Sequence, residues 1–203
     1  NLPPMEPVYN AEEYIEMYNQ AQKHMYAFLK KEEVLTVPDY IRLDPETSWR
    51  KAEVRDYFKH VLDRYPLPLK AHDFVGHFPD AVRHRRDQRP IRGTSRLYFI
   101  DGHRAEALAT GIEEILMNLG MLEHRPHARE LTYNLIAFRA ARGVSDLKMH
   151  ANQMTLMEGF QYNIDKTPYG WVPEDSPTLW HDIELYMRQP SYGIGYTVGS
   201  IQL

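Results

Sequence analysis

"HRAEALATGIEEILMNLG" (residues 103–120) decides the fold class. At about 100° per residue, Ala105, Leu108, Ile112, Ile115, Leu116 and Leu119 share one side, the expected core face. Gly120 follows the last periodic position, where a left-handed residue ends a helix. The same periodicity predicts a helix over 10–31, with Asn10 and Glu13 as its capping box and Tyr14, Met17, Tyr18, Ala21, Met25 and Phe28 on one face. Further helices are expected over 46–64, 127–151 and 178–187. Period-2 runs are weak throughout, so the expected fold is all-α.

The rest of the chain fits around these helices. Residues 1–9 (NLPPMEPVY) read as an arm or linker, and 10–203 as a single α-helical domain. "LTVPDYIRLDP" (35–45) is expected to be extended, 82–96 a basic irregular connection, and 167–177 turn-rich. The end of the chain is the glycine-spaced "SYGIGYTVG" (191–199).

Composition excludes several function classes. The chain has no cysteine, which removes disulfides, thiolate metal sites and a cysteine nucleophile. A net charge of −4 gives no general attraction to nucleic acid. Arg83, Arg85, Arg86, Arg89, Arg92 and Arg96 therefore read as a solvated loop or as a clamp for an acidic substrate group, with Arg92 the candidate for a substrate carboxylate. No apolar run approaches the roughly 18–20 residues that span a bilayer, so no membrane partner is expected. No compartment is assigned.

Three polar patterns point to chemistry. Glu106 and Glu113 fall within about 20° of each other at the edge of the expected core face, while Glu114 points away. A boundary carboxylate suits a cleft; an ordinary amphipathic border is the alternative. Arg139, Arg142, Asp146 and His150 form a stripe at spacings of three, four and four, with Arg142–Asp146 and Asp146–His150 as expected pairs. This stripe is either a structural ion-pair network or a layer that holds a site in place.

The third pattern is "KAHDFVGHFPD" (70–80). Its two histidines, five residues apart, fall about 140° apart on a regular helix, unlike the four-residue spacing of a HExxH metal motif. A π-bulge would bring His72 and His77 together, with Asp73 as the neighbouring base. Otherwise they are two surface histidines.

Several stretches together resemble one family. They are "GHFPDAVR" (76–83), residues 90–120, "FRAARGVSDLKMHANQMT" (138–155), "TPYGW" (167–171) and "YMRQPSYGIGYTVG" (186–199). In this order they resemble the domain-of-unknown-function 885 family, large bacterial α-helical proteins regarded as zinc metallopeptidases. "LTVPDYI" (35–41) is similar to the segment before the family's motifs. "EALATGIEE" (106–114) resembles the family's Glu-Gly-Trp-Ala-x-Tyr-x-Glu, with Glu106 and Glu113 at its two glutamates. His77 after Gly76 matches the last histidine of His-Glu-x-x-Pro-Gly-His. His72 and Asp73 match its opening pair only if one residue is removed where the family has proline; without a gap, Ala71 and His72 stand there.

The resemblance implies a helical array like the C-terminal half of such a metallopeptidase, and a chain that is part of a longer protein. It implies zinc held by His72, His77 and Glu106, with Asp73 or Glu113 as general base and Tyr192 or Tyr196 donating to an oxyanion. Arg142, Asp146 and His150 would support the site. The implied function is hydrolysis of peptide bonds in a peptide or small acidic substrate. The missing N-terminal half, or a partner chain, would cover the remaining apolar surface. The alternatives are a metal-free binding or scaffolding protein derived from such an enzyme, and an enzyme of other chemistry on the same scaffold.

Overall fold

The computed structural model describes residues 11–34, 65, 67–90, 93 and 102–203. The Asn10 cap, the expected arm, the stretches 35–45 and 46–64, and Arg92 and Arg96 lie outside the described residues. Those that are described are all-α, with no strand among them. No helix among them is long and apolar enough to cross a membrane.

Helix α1 (Ala11–Glu32) has Glu12 and Glu13 in its first turn and Lys30 and Lys31 in its last, the arrangement that complements a helix dipole. Its buried stripe, Tyr14, Met17, Tyr18, Ala21, Met25 and Leu29, belongs to a first apolar cluster shared with Leu67, Val75, Ile112, Leu116, Met121 and Leu131. A short helix, α2 (Leu67–Lys70), runs into a π-helical segment (Ala71–His77) and on into α3 (Phe78–Arg86). The Phe78 N–H closes the segment by donating to the Asp73 carbonyl, five residues back. Pro79, which has no N–H to return to the preceding turn, stands just after this junction. Arg83, Arg85 and Arg86 belong to α3, so the basic run is helical as far as Arg86, which corrects the expected irregular connection.

Helix α4 (Gly102–Asn118) ends as expected. Gly120 has φ +95°, and the Gly120 and Met121 amides donate back to the Met117 and Leu116 carbonyls, a Schellman end. Its inner face is rotated from the expected one, however. Ile115 and Leu119 are each 50% exposed, whereas Glu106, Ala107, Ala109, Thr110, Ile112, Glu113, Leu116 and Met117 are buried. The reason is close helix crossing. A Cβ on Gly199 would lie 2.3 Å from Ala107 Cβ, so the small residues of α4, not the long aliphatic ones, mark where its neighbours lie. The two glutamates on that side are buried because other side chains compensate their charge.

Helix α5 (Ala128–His150) contributes Leu131 to the first cluster and Phe138 and Met149 to a second, with Phe160, Leu179, Ile183 and Tyr186. Helix α6 (Leu156–Lys166) was not among the expected helices, although its capping box is legible: Thr155 Oγ1 accepts the Glu158 N–H at 3.2 Å, and Glu158 Oε2 accepts the Thr155 N–H at 2.7 Å. Helix α7 (Pro177–Arg188) starts at the Ser176 cap. The glycine-spaced stretch, for which the sequence predicts no helix, forms α8 (Tyr192–Gln202), which packs on both α4 and α5. Each glycine costs a helix about 1 kcal/mol against alanine, which hides α8 from local propensity.

Candidate metal centre

The π-helical segment answers the spacing problem of "HDFVGH". At roughly 4.4 residues per turn, a five-residue step comes back to within about 50° of its starting direction. His72 Nε2 and His77 Nε2 accordingly lie 3.0 Å apart, with their rings edge to face. Gly76 sets the depth of this segment against α4: a Cβ there would fall 2.5 Å from Ala109 Cα. That close approach presents both imidazoles to Glu106, whose Oε2 is 3.4 Å from His72 Nε2 and 3.3 Å from His77 Nε2.

The lone pairs at this point are informative. Glu113 Oε1 lies 2.7 Å from His72 Nδ1, whereas an Arg139 amino group lies 3.4 Å from the same nitrogen. The shorter contact places the proton on Nδ1, which leaves Nε2 with its lone pair. Glu113 in turn receives two hydrogen bonds from Arg139, both 2.7 Å. Glu106 Oε1 accepts the Tyr192 hydroxyl at 2.5 Å, while the buried Oε2 has no well-aligned donor. Two electron-rich atoms, His72 Nε2 and Glu106 Oε2, thus meet beside His77 Nε2.

The local charges follow from these contacts. Burial alone would raise the Glu106 pKa, but the neighbouring His72 and His77 rings and the Tyr192 hydroxyl outweigh it and hold the carboxyl well below its ordinary value. Burial acts the same way on Glu113, which Arg139 and His72 also keep ionised. For His72, burial favours the neutral ring, yet contacts with Glu106 and Glu113 raise its pKa overall. The pocket favours positive charge.

Asp73 is an exposed residue beside the two histidines, and His72, Asp73 and His77 together form a group that could hold a metal ion, each offering an atom within 4.8 Å of the others. Burial of its carboxyl group raises the Asp73 pKa against the opposing pull of His72, His77 and Lys70. The Tyr196 ring meets that of Tyr192 edge to face, 5.7 Å between centroids, and lies near two guanidinium groups, Arg142 at 4.9 Å and Arg139 at 5.7 Å from its ring. Burial pushes its pKa up to about 12 and that of Tyr192 higher still, so both phenols keep their protons at neutral pH.

Of the two expected pairs in the Arg139–His150 stripe, Asp146–His150 is present and Arg142–Asp146 is not. Arg142 bonds Asp182 of α7, not Asp146. Asp146 Oδ1 is 3.5 Å from His150 Nε2, but its carboxylate is mainly occupied with the Ser191 and Gly193 amides. His150 Nε2 lies 2.9 Å from the Tyr186 carbonyl. Helical spacing shows which residues share a stripe, but each of these side chains finds a closer partner on another helix. Arg139, read from sequence only as one member of that stripe, and Asp182, which carried no sequence signal, are the residues that the sequence left unassigned.

No family model, curated protein or solved structure matches the chain.

The residues present fit a divalent cation. Tetrahedral ligands at 2.0–2.1 Å from an ion lie about 3.3–3.4 Å from one another, and the His72, His77 and Glu106 atoms are 3.0–3.4 Å apart. Glu106 Oε2 is a buried anionic atom with no aligned hydrogen-bond donor, so its lone pairs are free to bind a cation.

Proposed function

We propose that this chain is a metal-dependent hydrolase acting on peptide bonds, with zinc held by His72, His77 and Glu106. The observation that carries this reading is the unpartnered Glu106 Oε2 between two imidazole nitrogens, 3.4 and 3.3 Å away. Two histidines, one carboxylate and an open position form the donor set of a catalytic zinc site. When bound, zinc supplies Lewis acidity towards a carbonyl oxygen and activates water for attack.

The chain's own residues divide the remaining work. Asp73, exposed beside the histidines and with a raised pKa, takes the proton of the attacking water on its carboxylate. Glu113 is fully engaged with His72 and Arg139, so its role is to fix the His72 tautomer rather than to move protons. Tyr192 orients Glu106. Tyr196, protonated and close to Arg142 and Arg139, donates to the developing oxyanion. The peptide substrate is suggested by the sequence resemblance.

The test is zinc titration of chelator-treated protein, alongside hydrolysis of a mixed peptide library. One equivalent of Zn²⁺ should bind and be lost in His77→Ala and Glu106→Ala, and cleavage should require it. A protein that takes up no metal and cleaves nothing is a binding or scaffolding protein. One that binds metal without cleaving peptides performs other chemistry at this centre.

A further inference from the structure

Helix α8 lacks a cap of its own. Ser191 stands before it in the left-handed region, φ 71°, and its side chain caps nothing. The first amides of a helix have no partner within it, so these must find one elsewhere. They find it on α5. The wholly buried Asp146 accepts the Ser191 N–H on Oδ1 at 3.3 Å and the Gly193 N–H on Oδ2 at 2.8 Å. An anion at a helix N-terminus is further favoured by the helix dipole. Gly193 lets the backbone come this close, because a Cβ there would meet the Arg142 carbonyl oxygen at 3.1 Å and Asp146 Cβ at 3.2 Å.

Tyr192 is the residue between the two pinned amides. Its hydroxyl reaches Glu106 Oε1 at 2.5 Å, leaving Oε2 turned towards His72 and His77. Asp146 touches none of the three candidate ligands, yet the direction of Tyr192 depends on it.

We propose that Asp146 is a positioning residue for the metal centre: by pinning the start of α8 it fixes the Tyr192 phenol on one oxygen of Glu106 and so aims the other at the two histidines. The inference rests on the metal-centre reading given above. The function of the Asp146 carboxylate is to accept two N–H groups at once. Asparagine has the same shape but turns an NH₂ towards one of those donors, so Asp146→Asn breaks the clamp with little change in volume.

The experiment measures Zn²⁺ affinity and the visible spectrum of bound Co²⁺ in the wild type, Asp146→Asn, Tyr192→Phe and the double variant. Loss of a residue that orients a ligand weakens metal binding by roughly 10–100-fold, and residues acting through one path do not add. The expected result is a roughly tenfold or greater loss in each single variant, no further loss in the double, and the same shift of the Co²⁺ bands in both. A merely structural role would lower stability without moving those bands. If Asp146→Asn does not fold, Gly193→Ala, which pushes the backbone off the same carboxylate, serves in its place. Equal affinity in Asp146→Asn and the wild type, or losses that multiply in the double variant, overturns the role of Asp146 alone. Wild-type protein that takes up neither Zn²⁺ nor Co²⁺ overturns the metal reading, and this role with it.

Discussion

Gly76 lies so close to Ala109 that a Cβ on the glycine would fall 2.5 Å from Ala109 Cα and 2.7 Å from its Cβ. The contact is backbone against backbone, so no side-chain rotation relieves it. Gly76→Ala should therefore push the π-helical segment away from α4, at a cost of about 1–3 kcal/mol for overpacking. It should also separate His72 and His77 from Glu106. Both effects are measurable, by urea denaturation and by Zn²⁺ titration; an unchanged affinity would show that the crossing does not set the site.

Glu113 and Arg139 form a buried pair with two bonds of 2.7 Å, and Glu113 also holds His72. Glu113→Gln should destabilise the protein by about 3–5 kcal/mol, because Arg139 loses its counter-charge. The folded-state pKa of Glu113 is depressed, so the stability it supplies is present above the unfolded value of about 4.3 and lost as pH falls below it. Acid titrations of stability should accordingly be shallower in the variant. A variant that melts with the wild type at every pH would contradict the pairing.

The partner of Arg142 is Asp182, and this separates two substitutions that the sequence alone would treat alike. Asp182→Ala leaves a buried guanidinium unpaired, with an expected loss of about 3–5 kcal/mol. Its Zn²⁺ affinity should stay closer to the wild type than that of Asp146→Asn, because α8 keeps its clamp. Calorimetry and metal titration of the same samples distinguish the two.

Lys70 is 2% exposed, and its Nζ has no hydrogen-bond partner, lying 3.0 Å from the Tyr18 ring centroid and 4.3 Å from that of Phe74. Burial pulls its pKa down to about 7, against the opposing effect of Asp73. The unfolded chain therefore binds the proton more tightly. Stability is greatest above the unfolded pKa of about 10.4 and falls as pH drops from there towards 7. Lys70→Met should remove that slope and stabilise the protein at pH 7, on the order of 1–2 kcal/mol after allowing for the lost ring contacts. Denaturation midpoints at pH 7 and pH 10 check the sign; a less stable variant at pH 7 would mean that the aromatic contacts outweigh desolvation.

Much of the fold could be read locally. The periodic stretches that became α1, α4, α5 and α7 carry their own start and stop signals, such as Gly120 with its positive φ. Helix α6 announced itself only through Thr155 and Glu158. Helix α8 did not announce itself at all, because its glycines argue against a helix until α4 and α5 close around them. At the site, Glu106, Glu113, His72 and His77 were all identifiable by residue type and spacing. Their contacts were not.

What the sequence by itself determined is the all-α class, through helical periodicity, and the small set of titratable residues that could meet at a site. The tertiary structure alone decided which of them do meet. Side chains on one helix can be aligned by counting, but a buried charge pairs with whichever group lies closest across a helix interface. Arg142 therefore takes Asp182 rather than Asp146, and Asp146 is left to clamp α8. The rotation of α4 was likewise set by its neighbours: Gly76 and Gly199 admit backbone contact over Ala109 and Ala107, which turns the two glutamates inward and leaves Ile115 and Leu119 half-exposed.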